Sequence, residues 1–240
     1  IATKIGALDF AGGTAVHINA GAAGLALALV LGKRIGFGKM LLRPSNLPLV
    51  MIGAGLLWFG WFGFNAGSAL GANGLAGVAF VNTLSATCAA ALGWLLVERL
   101  RDGHATSLGA ASGIVAGLVA ITPACAFVDT AGALSIGVIA GAMTALAVGL
   151  KYRFGYDDSL DVVGVHLVGG LVGTILIGFF GTKSVNEFSV DGLFYGGGTS
   201  QLVKQIQAAL IVMIFSFVVT YILGTILSKT IGFRVSREEE

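Results

Sequence analysis

Seven stretches of the sequence, at about 8–32, 47–70, 75–97, 107–128, 132–150, 159–180 and 205–228, are apolar over the roughly 20 residues that a helix needs to cross a bilayer. Nothing else in the chain limits its fold as tightly. Lipid offers no water to bare main-chain groups, so each such run closes its hydrogen bonds internally as a helix. Charged residues make up 11% of the chain, far below the roughly 25% of soluble domains. The expected fold is therefore all-α, a polytopic membrane helix bundle in which residues 1–240 form a single transmembrane domain with a short tail.

Glycine supports this reading. There are 38, more than twice the usual share of about 7%, with no collagen-like three-residue period. They recur at every fourth position: Gly63, Gly67 and Gly71; Gly109, Gly113 and Gly117; Gly137 and Gly141; Gly169 and Gly173. Small residues at that spacing let membrane helices cross closely, and a packing role is expected for each stripe. Cys88 and Cys125 are too few for a disulfide framework and are expected to be small packing residues. A net charge of +2 implies no nucleic-acid partner.

Lysine and arginine set the orientation. With the links numbered alternately, one side collects Lys33, Arg34, Lys39, Arg43, Arg99, Arg101, Lys151, Arg153, Lys229, Arg234 and Arg237; the other collects Lys4, Lys183 and Lys204. This places the C-terminal tail in the cytoplasm and Ile1 outside. The opening "IATKIGALDF" has neither an initiating Met nor a basic signal region, so the chain reads as the middle of a longer protein.

Within the spans the ionisable side chains are Asp9, His17, Asp161 and His166, with Lys204 at an edge. Each aspartate falls in the first turn of its expected helix, where a carboxylate meets the positive end of the helix dipole and caps free N–H groups. The histidines lie deeper, roughly 13 and 10 Å inside at 1.5 Å per residue. Their helices run in opposite senses, so the rings can reach a similar depth. Intramembrane ionisable groups face a pathway or cavity rather than lipid, and inverted repeats with key groups near the midplane are a recurring transporter plan. A metal site needs three or four ligands; no buried carboxylate or thiol shares this depth, so none is expected. Two uncharged imidazoles in contact share one N–H···N bond and keep their outer nitrogens for donating and accepting. That suits a small, neutral, hydrogen-bonding solute.

"LLWFGWFGFNAGSALGAN", residues 56–73, closes the second span with five aromatics. Trp58, Phe59 and Phe62 are read as an interfacial belt. Trp61, Phe64 and Ser68 stand three and four apart and share a face, where rings attract a cation and a hydroxyl accepts an N–H bond.

"DFAGGTAVHINAGAAGL", "WFGFNAGSA", "FVNT", "TPACAF" and "DDSLDVVGVHLVGGLVG" together resemble the ammonium transporter family (Amt/Mep/Rh), and "GFRVSREEE" resembles the start of its cytoplasmic tail. The resemblance runs through essentially the whole chain. It implies a five-plus-five inverted repeat with one added helix, assembled as a homotrimer, of which this chain resembles helices five to eleven. It implies that His17 and His166 are twin pore histidines, that Phe64 is one of two gating phenylalanines, that Ser68 belongs to an outer ammonium site, that Trp61 lines the pore and that Asp9 supports the outer site. Asp161 is held to a structural, supporting role. The family's other gate phenylalanine and outer-site tryptophan come from earlier helices, absent here, so this chain alone is expected to leave the pore incomplete. No cofactor is implied. A trimeric PII signalling protein at the cytoplasmic face is implied by resemblance alone.

Ammonium would be recruited at the outer site, lose its proton near the gate and pass the imidazoles as ammonia. An ammonium sensor signalling through the tail is the first rival, and flux in liposomes separates the two. An intramembrane enzyme would need a nucleophile or metal at the depth of the histidines, and none is convincing. A neutral gas channel of the Rh kind differs in carrying no current.

Overall fold

In a computed structural model the described residues are 2–40, 44–236 and 238–239. Ile1, Arg43 and Arg237, used above for orientation, lie outside them. The helices are α1 (Ala2–Ile5), a π-helical turn (Thr14–Ile18) running into α2 (Asn19–Leu31), α3 (Leu47–Asn65), α4 (Gly74–Asp102), α5 (Ser107–Ile121), α6 (Thr130–Ala147), α7 (Leu150–Phe154), a second π-helical turn (Val163–Leu167) running into α8 (Val168–Phe180), and α9 (Ser200–Thr230). Among the described residues six helical runs, Thr14–Leu31, Leu47–Ala69, Gly74–Asp102, Thr130–Phe154, Val163–Phe180 and Ser200–Thr230, are long and apolar enough to cross a membrane. The fold is all-α; an isolated bridge between Val128 and Gly181 is the strand-like pairing recorded among the described residues.

Side chains set the helix ends. Asn46, Asn73, Thr106 and Asp129 precede α3, α4, α5 and α6, and each accepts a bond from a first-turn N–H, at 2.9, 3.0, 2.9 and 2.8 Å. These caps satisfy donors that a helix start leaves open. Gly103 and Gly155 end α4 and α7 with φ of 80° and 71°, a left-handed conformation that suits glycine.

Three expected boundaries are corrected. The span expected at 107–128 is the 15-residue α5, about 22 Å long against a core of about 30 Å. Residues 122–127 form turns instead, because Pro123 has no N–H to continue the helix. The first span starts at Thr14 rather than near residue 8, since Gly12 has φ 84° and breaks the approach. The span expected from 159 starts at Val163, with Asp161 at φ 56° before it. Both aspartates thus precede their helices.

The core is built from alanine and glycine, so the backbones lie close. A Cβ on Gly117 would stand 2.7 Å from Thr87 Cα, and one on Gly141 would overlap the Ala90 carbonyl. These contacts bind α4 to α5 and α6. The stripe at Gly63, Gly67 and Gly71 differs: nothing lies within 4 Å of a Cβ at Gly63 or Gly67, so it makes no close crossing within the described residues. The same side of the bundle leaves Ile52, Leu56 and Phe59 exposed. Cys125 is buried in the core, whereas Cys88 is exposed on α4, against the packing role expected of it.

Two polar clamps fasten α9. Gln205 accepts from Leu8 N at 2.7 Å and donates to Leu8 O at 2.8 Å and Thr174 O at 3.0 Å. Ser216 donates to Asn19 O at 2.8 Å. At the opposite end from Gln205, Arg34 forks onto Asp157 at 2.9 and 2.7 Å, and the guanidinium holds that carboxyl below its ordinary range. Nearby, Arg234 donates to Leu31 O and Lys33 O at 3.1 and 2.7 Å.

Candidate functional site

Each histidine-bearing turn begins on an aspartate. Asp9 accepts from Thr14 N at 3.1 Å and Ala15 N at 3.2 Å. Asp158 accepts from Val162 N at 3.0 Å and Val163 N at 2.7 Å. A carboxylate at these free N–H groups also meets the positive end of the helix dipole. In both copies the histidine follows its capping aspartate by eight residues. Asp158, not Asp161, therefore caps the second helix. The left-handed backbone of Asp161 turns its carboxylate to Lys151 Nζ, 2.6 Å away. The shared Asp-to-His spacing was the available signal for Asp158.

The two segments cross antiparallel. Thr14 meets Thr174 through their hydroxyls at 2.8 Å. Further along, Gly170 lies against Ile18 and His17, Gly21 against Leu167 and Gly24 against Val162. One number rises as the other falls. The contacts are also reciprocal: Gly21 and Gly170 each stand four residues after a histidine, and each receives the residue following the other histidine. This is the local signature of a two-fold related pair. With no Cβ at either glycine, the backbones close far enough for the imidazoles to touch.

The rings meet with Nδ1 of His17 and Nδ1 of His166 3.4 Å apart, centroids 5.4 Å apart and planes at 42°. His17 is buried, and its Nε2 has no hydrogen-bonding partner among the described residues. If one Nδ1 donates to the other, the first ring keeps a bare Nε2 acceptor and the second an Nε2–H donor. The pair then offers one acceptor and one donor to a small solute.

On its other face His17 stacks on Trp61, centroids 5.2 Å apart at 19°. Phe64 stands edge-on to the same imidazole at 6.2 Å and 80°, and to Trp61 at 5.6 Å and 62°. Ser68 sits just beyond α3 on a 3-10 turn, Gly67–Ala69, and its hydroxyl donates to Phe64 O at 2.8 Å. Its proton being so engaged, the oxygen retains lone pairs that can accept. His17, His166, Trp61 and Phe64 form one continuous group, with Ser68 joined through Phe64. Asp9 and Asp158 act from the ends of the helices. Of the belt aromatics, Phe59 is exposed and Phe62 stacks on Phe80 at 4.1 Å.

Sequence reasoning also missed the turn at residues 122–127 as part of this assembly. Trp61 Nε1 donates to Thr122 Oγ1 at 2.8 Å, and Asn82 Nδ2 holds the turn by its Cys125 and Val128 carbonyls at 2.9 and 2.7 Å. "FVNT" and "TPACAF" carried the family likeness, but neither the residue types nor their spacing announced this contact.

Replacing Asp158 with alanine is expected to destabilise the solubilised protein by about 1–2 kcal/mol, the cost of losing an N-terminal cap. Asp161→Asn, which breaks a partly exposed ion pair but keeps a side chain tolerant of the left-handed backbone, should cost less than about 1 kcal/mol. Thermal melts of both variants check the order. Equal melting points would mean that Asp158 is not the cap that matters.

The profile of the Ammonium Transporter Family matches residues 1–240. The "Ammonium transporter" of Mycobacterium tuberculosis is 62% identical over 245 residues, covering 100% of this chain and 51% of that protein. Among solved structures, Mep2 of Saccharomyces cerevisiae aligns with a TM-score of 0.91 at 36% identity, over 98% of this chain and 55% of that one. A structure described as "Sensor Amt Protein" aligns with a TM-score of 0.89 at 32% identity, over 99% of this chain and 59% of that one. The chain thus spans about half the length of the relatives it matches.

Proposed function

The chain belongs to the ammonium transporter family, and from that premise we propose that it forms, in the full-length protein, the histidine-bearing part of a transmembrane conduit for ammonium nitrogen. The observation that carries the proposal is the contact of His17 with His166 across antiparallel helices, with Trp61 and Phe64 against His17. It is a multi-pass membrane protein by the six apolar helices among its described residues and by its family.

The chemistry runs from recognition to desolvation. Aromatic faces attract a cation, and the Ser68 oxygen accepts an N–H bond, so Trp61, Phe64 and Ser68 suit recruitment of ammonium. A bare charge pays heavily to enter an apolar passage unless it is paired. The cation therefore gives up its proton near Phe64 to the unpartnered Nε2 of His17, which relays it along the imidazole pair, and the nitrogen proceeds as ammonia. Ammonia donates and accepts, and the imidazole pair supplies the complementary acceptor and donor. Asp9 and Asp158 support the path by fixing the starts of the two histidine helices, and Asp161 supports it through Lys151.

With α5 and the turn at 122–127 together counted as a seventh crossing, the distribution of basic residues favours a C-terminal tail on the cytoplasmic side of the cell membrane and the start of this chain outside. On the family premise the working protein is a homotrimer, and its cytoplasmic face is where a PII signalling protein would dock. The test is flux into liposomes holding the full-length protein. An inward ammonium gradient should drive rapid uptake, while potassium at the same concentration should not. Absence of ammonium flux from folded, inserted protein would leave the sensor reading instead.

A further inference from the structure

Trp61 is an indole lying flat on an imidazole, and such stacking fixes the distance between two planes but not the rotation within them. That rotation has its own determinant. The indole N–H is a donor only, and in this buried place it finds one acceptor, Thr122 Oγ1 at 2.8 Å. The threonine proton is already committed to Leu118 O at 2.6 Å, so the hydroxyl can face Trp61 only with a lone pair. The main chain of the same residue reaches elsewhere: Thr122 O accepts from Ala11 N at 3.3 Å, and Pro123 O accepts from Phe10 N at 3.0 Å. Residues 10 and 11 directly follow Asp9, whose carboxylate caps the His17 helix. On Gly13 even a Cβ would overlap the Pro123 ring, so the turn is seated tightly against this segment.

We propose that Thr122 is a positioning residue for the conduit, its hydroxyl holding Trp61 in the orientation that stacks on His17 while its carbonyl holds the segment that bears Asp9. This rests on the reading of His17 as a conduit residue. It also gives a reason for the break after α5: a helix continuing through residue 122 would spend this carbonyl on its own ladder. Two elements that meet at His17, the indole and the capped helix start, are referenced to one residue.

Thr122→Val keeps the β-branched shape and the carbonyl but removes the hydroxyl; Thr122→Ser keeps the hydroxyl. The full-length protein labelled with 5-fluorotryptophan gives a fluorine resonance for Trp61, assigned by its loss in Trp61→Phe. In Thr122→Val that resonance should move or split, and ammonium flux in liposomes should fall about tenfold, the effect of leaving one buried donor unpaired. Thr122→Ser should restore both. An unmoved resonance in Thr122→Val overturns the proposal whatever the flux does, and so does a moved resonance with unchanged flux. Failure of the conduit reading is recognised separately: His17→Ala would then transport normally, while the resonance of Thr122→Val would still report whether the hydroxyl holds Trp61.

Discussion

His17→Ala in the full-length protein is expected to abolish selective ammonium transport while leaving the protein folded and inserted. The substitution removes the ring that stacks on Trp61 and faces Phe64 edge-on, and it leaves Nδ1 of His166 without the partner 3.4 Å away. A small polar base crossing the emptied stretch would forgo its hydrogen bonds, at about 2–3 kcal/mol for an unpaired group. That corresponds to a fall in flux of roughly a hundredfold. The cavity adds a second effect, because the site then has room for water, and water can carry a cation that the imidazoles excluded. Uptake of ammonium and potassium by the same liposomes reads both. Wild-type ammonium flux with discrimination against potassium unchanged would count decisively against the role given to His17.

Gly173→Ala is expected to be the most damaging of the small changes at the helix crossings. A Cβ there would overlap Ala120 O. The obstacle is main chain of the turn of α5 that leads into Thr122, so it cannot swing aside as a side chain would. Overpacking of this kind costs about 1–3 kcal/mol, or more where backbone must shift. Here it would also part α5 from α8 beside the histidines. Gly24→Ala is the contrasting case: its nearest neighbour is a Val162 methyl at 3.2 Å, which can give. Recovery of monodisperse protein after detergent extraction should fall sharply for the first variant and stay near wild type for the second. Equal recovery would mean that the close approach of α5 and α8 is not required.

The helical architecture was legible because an apolar run of membrane length has few alternatives, and the helix ends were not legible because hydropathy does not register them. Gly12 adopts left-handed backbone within an apolar stretch, Asp161 does so at the polar edge of another, and Pro123 ends α5 in the middle of a third. That His17 and His166 could meet followed from their depths and opposite directions. Their contact depended on Gly21 and Gly170, which looked like any other small residues. Asp161 took the role of Asp158 in the sequence reading because both lie near the expected start of one helix. Only the backbone decides which carboxylate faces the free N–H groups. Thr122 was invisible for a related reason: its partner Trp61 is distant in sequence, and no periodicity links a turn to a helix face.

The most direct test of a shared path is a double-mutant cycle on flux, using His17→Gln, His166→Gln and both together, since the glutamine amide keeps one donor and one acceptor in place of the ring. Rings that bond to each other and serve one passing molecule should be strongly coupled, by more than about 0.5 kcal/mol. The double variant should then lose clearly less than the product of the two single losses. Losses that simply multiply would mean that the two histidines act independently, contradicting a single conduit lined by both.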